Sequence, residues 1–231
     1  MDQFSRVARG VTEGARFGET PRFWSGGNKA ELRDFTAGAL AAGLAPDQVA
    51  AMLNVYLDKM VEILLDHGGT IDGFTGDGIL GLFGAPDAGA DDPQRAVACA
   101  LAMQFAMPEV NLLNREFGPA RMEMGVGIHT GDVVLGNIGT SARAKYGALG
   151  SAVSLTARIE ACTFGGEVMI SHATLAAVRE RVETGARRQV VANGTDAPIA
   201  VYPVLGLKGR PELAPSRAAA PTDVAPTVSG V

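Results

Sequence analysis

The stretch that most constrains this chain is residues 121–130. Met122, Met124, Val126 and Ile128 alternate along it, and Gly125 and Gly127 fall between them. Period-two alternation marks a strand with one apolar face. Glycines on the opposite face present no side chain, so another backbone is expected to approach closely there. Gly131-Asp132 reads as a turn, and Val133–Ile138 as the hairpin mate of this strand.

The flanking segments read as helices and further strands. Ala45-Pro46-Asp47 opens a helix whose residues Val49, Met52, Leu53, Tyr56, Leu57, Met60, Ile63 and Leu64 form one apolar stripe, and Gly68-Gly69 stops it. Thr70–Phe74 and Ile79–Gly84 then flank Thr75-Gly76-Asp77-Gly78, which predicts a hairpin with Asp77 at its tip. Asp92-Pro93 starts a second helix, in which Pro108 predicts a kink or break. Ser151 and Ser171 are placed to cap two more helices, with a strand at Glu167–Ile170 between them and last strands at 190–191 and 199–204. Helices alternating with hairpins imply an α/β (α+β) domain, with helices flanking a mainly antiparallel sheet.

Length and composition exclude several classes. At 231 residues the chain fits one domain with short appendages. Residues 1–30 show little pattern, residues 31–206 carry the domain, and residues 207–231 form an Ala/Pro-rich tail expected to be disordered. The unpatterned start also fits a chain whose upstream sensor or linker is absent. Apolar residues at 47% and charged residues at 19% exclude wholesale disorder. The net charge of −5 comes without a dense basic run, which argues against nucleic acid or an anionic membrane face as partner. No apolar run is long enough to cross a bilayer, and the N-terminus lacks a signal-peptide core. Cys99 and Cys162 lie in apolar helical patterns and read as buried thiols. The three histidines show no zinc-ligand spacing, and His129 reads as structural. A cytoplasmic domain is the expectation.

Three longer segments carry a resemblance: residues 53–86 (LNVYLDKMVEILLDHGGTIDGFTGDGILGLFGAP), 124–139 (MGVGIHTGDVVLGNIG) and 145–161 (KYGALGSAVSLTARIEA). In this order and spacing they resemble the catalytic domain of class III adenylate/guanylate cyclases of bacterial type. Smaller matches at Leu32–Thr36, Asp91–Ala96 and Gly165–Ser171 extend the resemblance over 31–206.

The resemblance implies a ferredoxin-like nucleotide cyclase fold working as a homodimer, or as a heterodimer with another cyclase domain. ATP or GTP would be converted to a 3′,5′-cyclic monophosphate and pyrophosphate, with two Mg2+ or Mn2+ ions per site. One chain would supply the metal ligands and the other the transition-state donors. Asp77 stands at one metal-aspartate position and Glu31 at the other, where the family has aspartate. Phe35 and Thr36 stand where backbone amides hold phosphates. Arg158 matches the arginine that donates to the reacting phosphate. Ser154, one turn earlier, stands where the family has asparagine. Gly73 and Gly147 occupy the two base-reading positions, and Asn193-Gly194 replaces a phosphate-binding Lys-Gly turn. Two glycines cannot tell adenine from guanine by side chain, so purine selectivity is expected to be poor unless a neighbour such as Asp72 substitutes. Gly26–Ala30, where the family has β-branched residues, does not favour a central strand. These departures support an alternative: a catalytically impaired cyclase-fold module acting as a regulatory or heterodimer partner.

Overall fold

The computed structural model describes residues 22–35, 38–39, 42–118, 121–140, 144–190 and 198–209. Its elements run β1 (Arg22–Leu32), α1 (Pro46–Asp66), β2 (Thr70–Thr75), β3 (Gly78–Phe83), α2 (Asp92–Leu113), β4 (Met124–Gly139), β5 (Ala144–Leu149), α3 (Ser151–Ala161), β6 (Val168–Ser171), α4 (His172–Val178), β7 (Val182–Thr184), β8 (Arg188–Val190) and β9 (Ile199–Leu207). The sheet order is β2-β3-β1-β4-β6-β9-β7, with β5 also on β4 and β8 also on β9. Among the described pairs only β4–β6 is parallel, so the sheet is mainly antiparallel and flanked by helices, as expected.

Local chemistry sets the helix ends. In α1 the Ala45 N–H donates to Gln48 Oε1 at 2.9 Å, and Met52, Tyr56, Met60 and Leu64 are buried at four-residue spacing. Gly68 takes φ +71, and the Gly68 and Gly69 amides donate back to Leu65 and Leu64 at 2.9 Å each. This Schellman closure satisfies the last carbonyls and aims the chain into β2. Ser171 caps α4 by accepting the Thr174 N–H at 3.2 Å. Ser151 instead lies inside α3, whose cap position is Gly150.

The two sheet faces are covered differently. Ala30, Leu32, Ile79, Phe83, Met124, Val126 and Ile128 form one core with buried residues of α1, α2 and α4. Contrary to the expectation that no apolar run is long enough, helix α2 could span a membrane by length and composition, but more than half of it is buried in this core. The opposite face is covered by α3. A Cβ on Gly127 would lie 2.6 Å from Glu160 Cα, and one on Gly27 would lie 2.7 Å from Thr156 Oγ1. The close backbone approach expected at the glycine face is therefore made by α3.

Four further expectations are corrected. Gly131-Asp132 does not turn: β4 runs on for 16 residues because β1 pairs alongside it, with Ser25 opposite Gly131 and Trp24 opposite Asp132. Its second half pairs with β5. Gly26–Ala30 does form a central strand, between β3 and β4. Strand preference is a matter of fit to neighbours, and here α3 leaves no room for a side chain at Gly27. This strand starts at Arg22, upstream of the expected boundary at residue 31. Helix α2 passes through Pro108 without a break, since Met107 and Val110 on either side are buried in the core.

Candidate active site

Strand alternation divides β1 between the faces. Asn28, Ala30 and Leu32 are buried toward α1 and α2, whereas Lys29, Glu31 and Arg33 point toward α3. Glu160, on the inner side of α3, is fully buried and meets both cations. Lys29 Nζ lies 2.9 Å from Glu160 Oε2 and forms a tight ion pair with Glu31. The Arg33 guanidinium pairs with Glu160 Oε1 and donates to the Glu160 carbonyl and to Thr163 Oγ1, each at 2.7 Å. Two cations and two carboxyl groups thus form a quartet beneath α3. Burial pushes the Glu160 carboxyl up to about 7, against the pull of Arg33 and Lys29. The Glu31 carboxyl is held below its usual range by Lys29 and by its hydrogen bond with Glu160, which together outweigh its own desolvation.

Asp77 sits where the sequence placed it. β2 and β3 pair up to Thr75 and Gly78, leaving Gly76 and Asp77 as a two-residue turn with φ +61 at Gly76. The carboxyl of Asp77 is pushed up, first by desolvation and then by the negative charge of Glu31. Glu31 is indeed adjacent: its Cγ would lie 3.4 Å from a Cβ on Gly78. The structure therefore places Glu31 beside the turn that carries Asp77. Both are oxygen donors of the kind a hard divalent cation takes. The pair fits a metal, with Lys29 as its competitor for Glu31. No cluster of three or more His, Cys, Asp or Glu stands ready among the described residues, so further ligands must come from a substrate or from backbone.

Arg158 and Ser154 are not part of this group. On α3 the buried residues Ala152, Thr156, Ile159 and Glu160 face the sheet, while Ser154 is exposed and Arg158 half-buried on the outer side. Their four-residue spacing puts them on one stripe of that outer side. Arg158 makes no ion pair among the described residues. One chain thus presents Glu31 beneath α3, Asp77 at the neighbouring turn and a guanidinium on the outer side of α3.

After β1, Asp34 adopts φ +50 and starts a tight turn into Phe35, whose side chain is buried. Thr36 and Asn193-Gly194 lie outside the described residues. Lys145 lies beside Gly73 and Asp72 beside Gly147, and the two side chains pair across β2 and β5. His129 is structural, as expected: its Nδ1 lies 2.9 Å from Ser171 Oγ, and burial pushes its imidazole below 6.5. The sequence reading missed Lys29, Glu160, Arg33 and Lys145. For Lys29 and Arg33, a Lys-x-Glu-x-Arg alternation through Glu31 was the available signal; Glu160, on a helix far along the chain, had none. A cavity of about 850 Å³ lined by His67, Arg95, Arg181 and Lys208 contains none of the candidate residues.

Comparison with known proteins follows the same lines. A sequence profile describing the adenylate and guanylate cyclase catalytic domain matches residues 30–205. Adenylate cyclase 1 of Rhizobium meliloti (strain 1021) is 31% identical over 179 residues, which is 77% of this chain and 27% of that protein. The chain thus spans about a third of these curated relatives' length, 27% of this one and 35% of the adenylate cyclase of Anabaena cylindrica. Among solved structures, the guanylyl cyclase Cya2 is 44% identical with a TM-score of 0.80, covering 85% of this chain and 99% of that one. The adenylyl cyclase CyaB from P. aeruginosa is 33% identical with a TM-score of 0.75, covering 80% and 95%.

Proposed function

Because the chain belongs to the family of adenylate and guanylate cyclase catalytic domains, we propose that it converts ATP or GTP to the 3′,5′-cyclic monophosphate and pyrophosphate for intracellular signalling. The observation that carries this reading is the division of one chain between two half-sites. Glu31, beneath α3, lies beside the turn that carries Asp77, while Arg158 and Ser154 lie on the outer side of α3. Neither half is a complete site, and a two-fold pair of chains completes both at once. Phe74, Val134, Ile138 and Leu149 expose apolar surface on β2, β4 and β5, and a partner chain would cover it. A homodimer needs no further component; another cyclase domain could take the same place.

The reaction is attack of the ribose 3′-oxygen on the α-phosphorus with departure of pyrophosphate. Arg158 offers fixed, permanently charged donors to the phosphate oxygens as charge builds on them. The Ser154 hydroxyl hydrogen-bonds the ribose and holds it for in-line attack. The backbone at Phe35 and Thr36 carries phosphate oxygens, and the surfaces at Gly73 and Gly147 border the base. Glu31 and Asp77 would hold two divalent ions, Mg2+ or Mn2+; when bound, such ions neutralise triphosphate charge and acidify the attacking hydroxyl. The catalytic unit runs from Arg22, where the central strand starts, to Leu207, where β9 ends, and the protein acts in the cytoplasm. The alternative of an impaired regulatory module is not favoured, since two solved structures above 30% identity are both of proteins named as cyclases.

The test is an assay of purified protein with ATP and with GTP, in Mg2+ and in Mn2+. Equal amounts of cyclic nucleotide and pyrophosphate are expected, and Asp77→Ala should abolish both. Intact, dimeric protein that leaves both nucleotides unchanged in either metal would refute the reading.

A further inference from the structure

The two base-reading positions are bare in this sequence, yet the space beside them is filled. A Cβ on Gly73 would lie 2.5 Å from Lys145 Nζ and 3.4 Å from Lys145 Cε. Lys145 therefore reaches from β5 across to β2 and ends where a side chain at position 73 would begin. It is held there by Asp72, whose Oδ2 lies 3.3 Å from Lys145 Nζ. Asp72 is itself anchored, since its Oδ1 accepts the Ala148 N–H at 2.6 Å.

The backbone explains this arrangement. The β2–β3 register slips between Ile71 and Gly73, so Asp72 is the extra residue of a bulge. A bulge re-aims one side chain out of the normal alternation. Here it turns Asp72 toward β5, beside Gly73 rather than on the opposite face. On β5, Lys145 and Gly147 share a face by the two-residue period. The consequence is a paired donor and acceptor between two glycines that leave the base room. The side chain of Asp72 is 10% exposed and that of Lys145 is 61% exposed. Asp72 is thus the fixed partner, and the lysine head is the part a ligand can touch.

We propose that Lys145, positioned by Asp72, reads the purine base in place of the side chains missing at Gly73 and Gly147. This rests on the cyclase reading of the site. A lysine ammonium has three donors and no acceptor, and Asp72 takes one of them. The others point to an acceptor on the base edge, N1 of adenine or O6 of guanine. Purine discrimination in this chain is then a property of the β2–β5 clamp, and the glycines provide the space.

The experiment measures binding apart from turnover. Equilibrium dialysis with Mn2+ compares 3′-deoxy-ATP, 3′-deoxy-GTP and inorganic tripolyphosphate, none of which can cyclise. For Lys145→Met, affinity for the better-bound purine nucleotide should fall at least 10-fold, the two purines should converge, and tripolyphosphate should be unchanged. Lys145→Arg should retain part of the preference. Asp72→Asn should loosen it without changing tripolyphosphate affinity. Equal loss for all three ligands, no loss for any, or wild-type protein that binds none of them would overturn the proposal. Product assays separate it from the broader function. A base-specific loss in a protein that makes no cyclic nucleotide sinks the cyclase reading alone. An unchanged ATP-to-GTP ratio in an active Lys145→Met enzyme sinks the lysine alone.

Discussion

The Lys29 ammonium lies 2.9 Å from the Glu160 carboxylate, joining the central strand to the helix that covers it. Glu160 has no access to water, so its charge depends on Lys29 and Arg33. Lys29 also holds Glu31, and one lysine therefore links the fold's buried ion pair to the candidate metal carboxylate.

Removing that lysine should be costly. Lys29→Met leaves Glu160 with one cation instead of two, and breaking a buried pair costs up to roughly 3–5 kcal/mol. Adding Glu160→Gln to this variant should return part of the loss, because the stranded charge disappears. Urea unfolding of the wild type, both single variants and the double variant measures the coupling; additive losses would show that the two residues act independently.

Gly127 tests the close approach of α3. An alanine Cβ there would overlap the Glu160 backbone, which cannot swing aside as a side chain tip could. Gly127→Ala should lose about 1–3 kcal/mol, the usual cost of overpacking, and activity should fall with it because Arg158 rides on the displaced helix. A control at Gly43, where a Cβ meets nothing within 4 Å but φ is +69, should show only the smaller backbone cost.

A site shared between chains predicts complementation. Asp77→Ala and Arg158→Ala should each be inactive or nearly so, with Arg158→Ala reduced on the order of 100- to 1,000-fold. Neither should unfold the protein, since Asp77 lies at a turn and Arg158 is half-buried outside the core. Mixing the two inactive proteins should restore roughly a quarter of wild-type activity, because random pairing makes half the dimers mixed and each mixed dimer has one intact site of two. Activity that stays absent after mixing would place both residues in one chain's site.

His129 gives a pH signature. Its folded imidazole is pushed below 6.5 by burial, so the fold favours the neutral form. An unfolded chain takes up the proton as pH drops through about 6.5, which favours unfolding. The stability His129 contributes is therefore complete above that value, falls as pH drops through it, and levels off below the folded value. The difference in urea midpoint between wild type and His129→Asn, followed from pH 7.5 to pH 5, should shrink toward acid. A constant difference would remove the histidine from the pH response.

What the sequence determined by itself is what short-range pattern can carry. The Met52–Leu64 stripe, the Gly68-Gly69 stop, the Gly76-Asp77 turn and the bare face at Gly125 and Gly127 are each written in adjacent residues, and each holds in the structure. The long segments also carried the family. Tertiary structure decided the rest. Whether Gly131-Asp132 turns depended on β1 lying alongside, and whether Gly26–Ala30 forms a strand depended on α3 pressing against it. The partners of Glu160 lie on a strand some 130 residues away in the chain, and the Asp72–Lys145 clamp arises from a bulge that no local pattern announces. Turns and stripes are fixed by neighbours in sequence, whereas ion pairs and close approaches are fixed by which surfaces meet, and only the folded sheet brings those surfaces together.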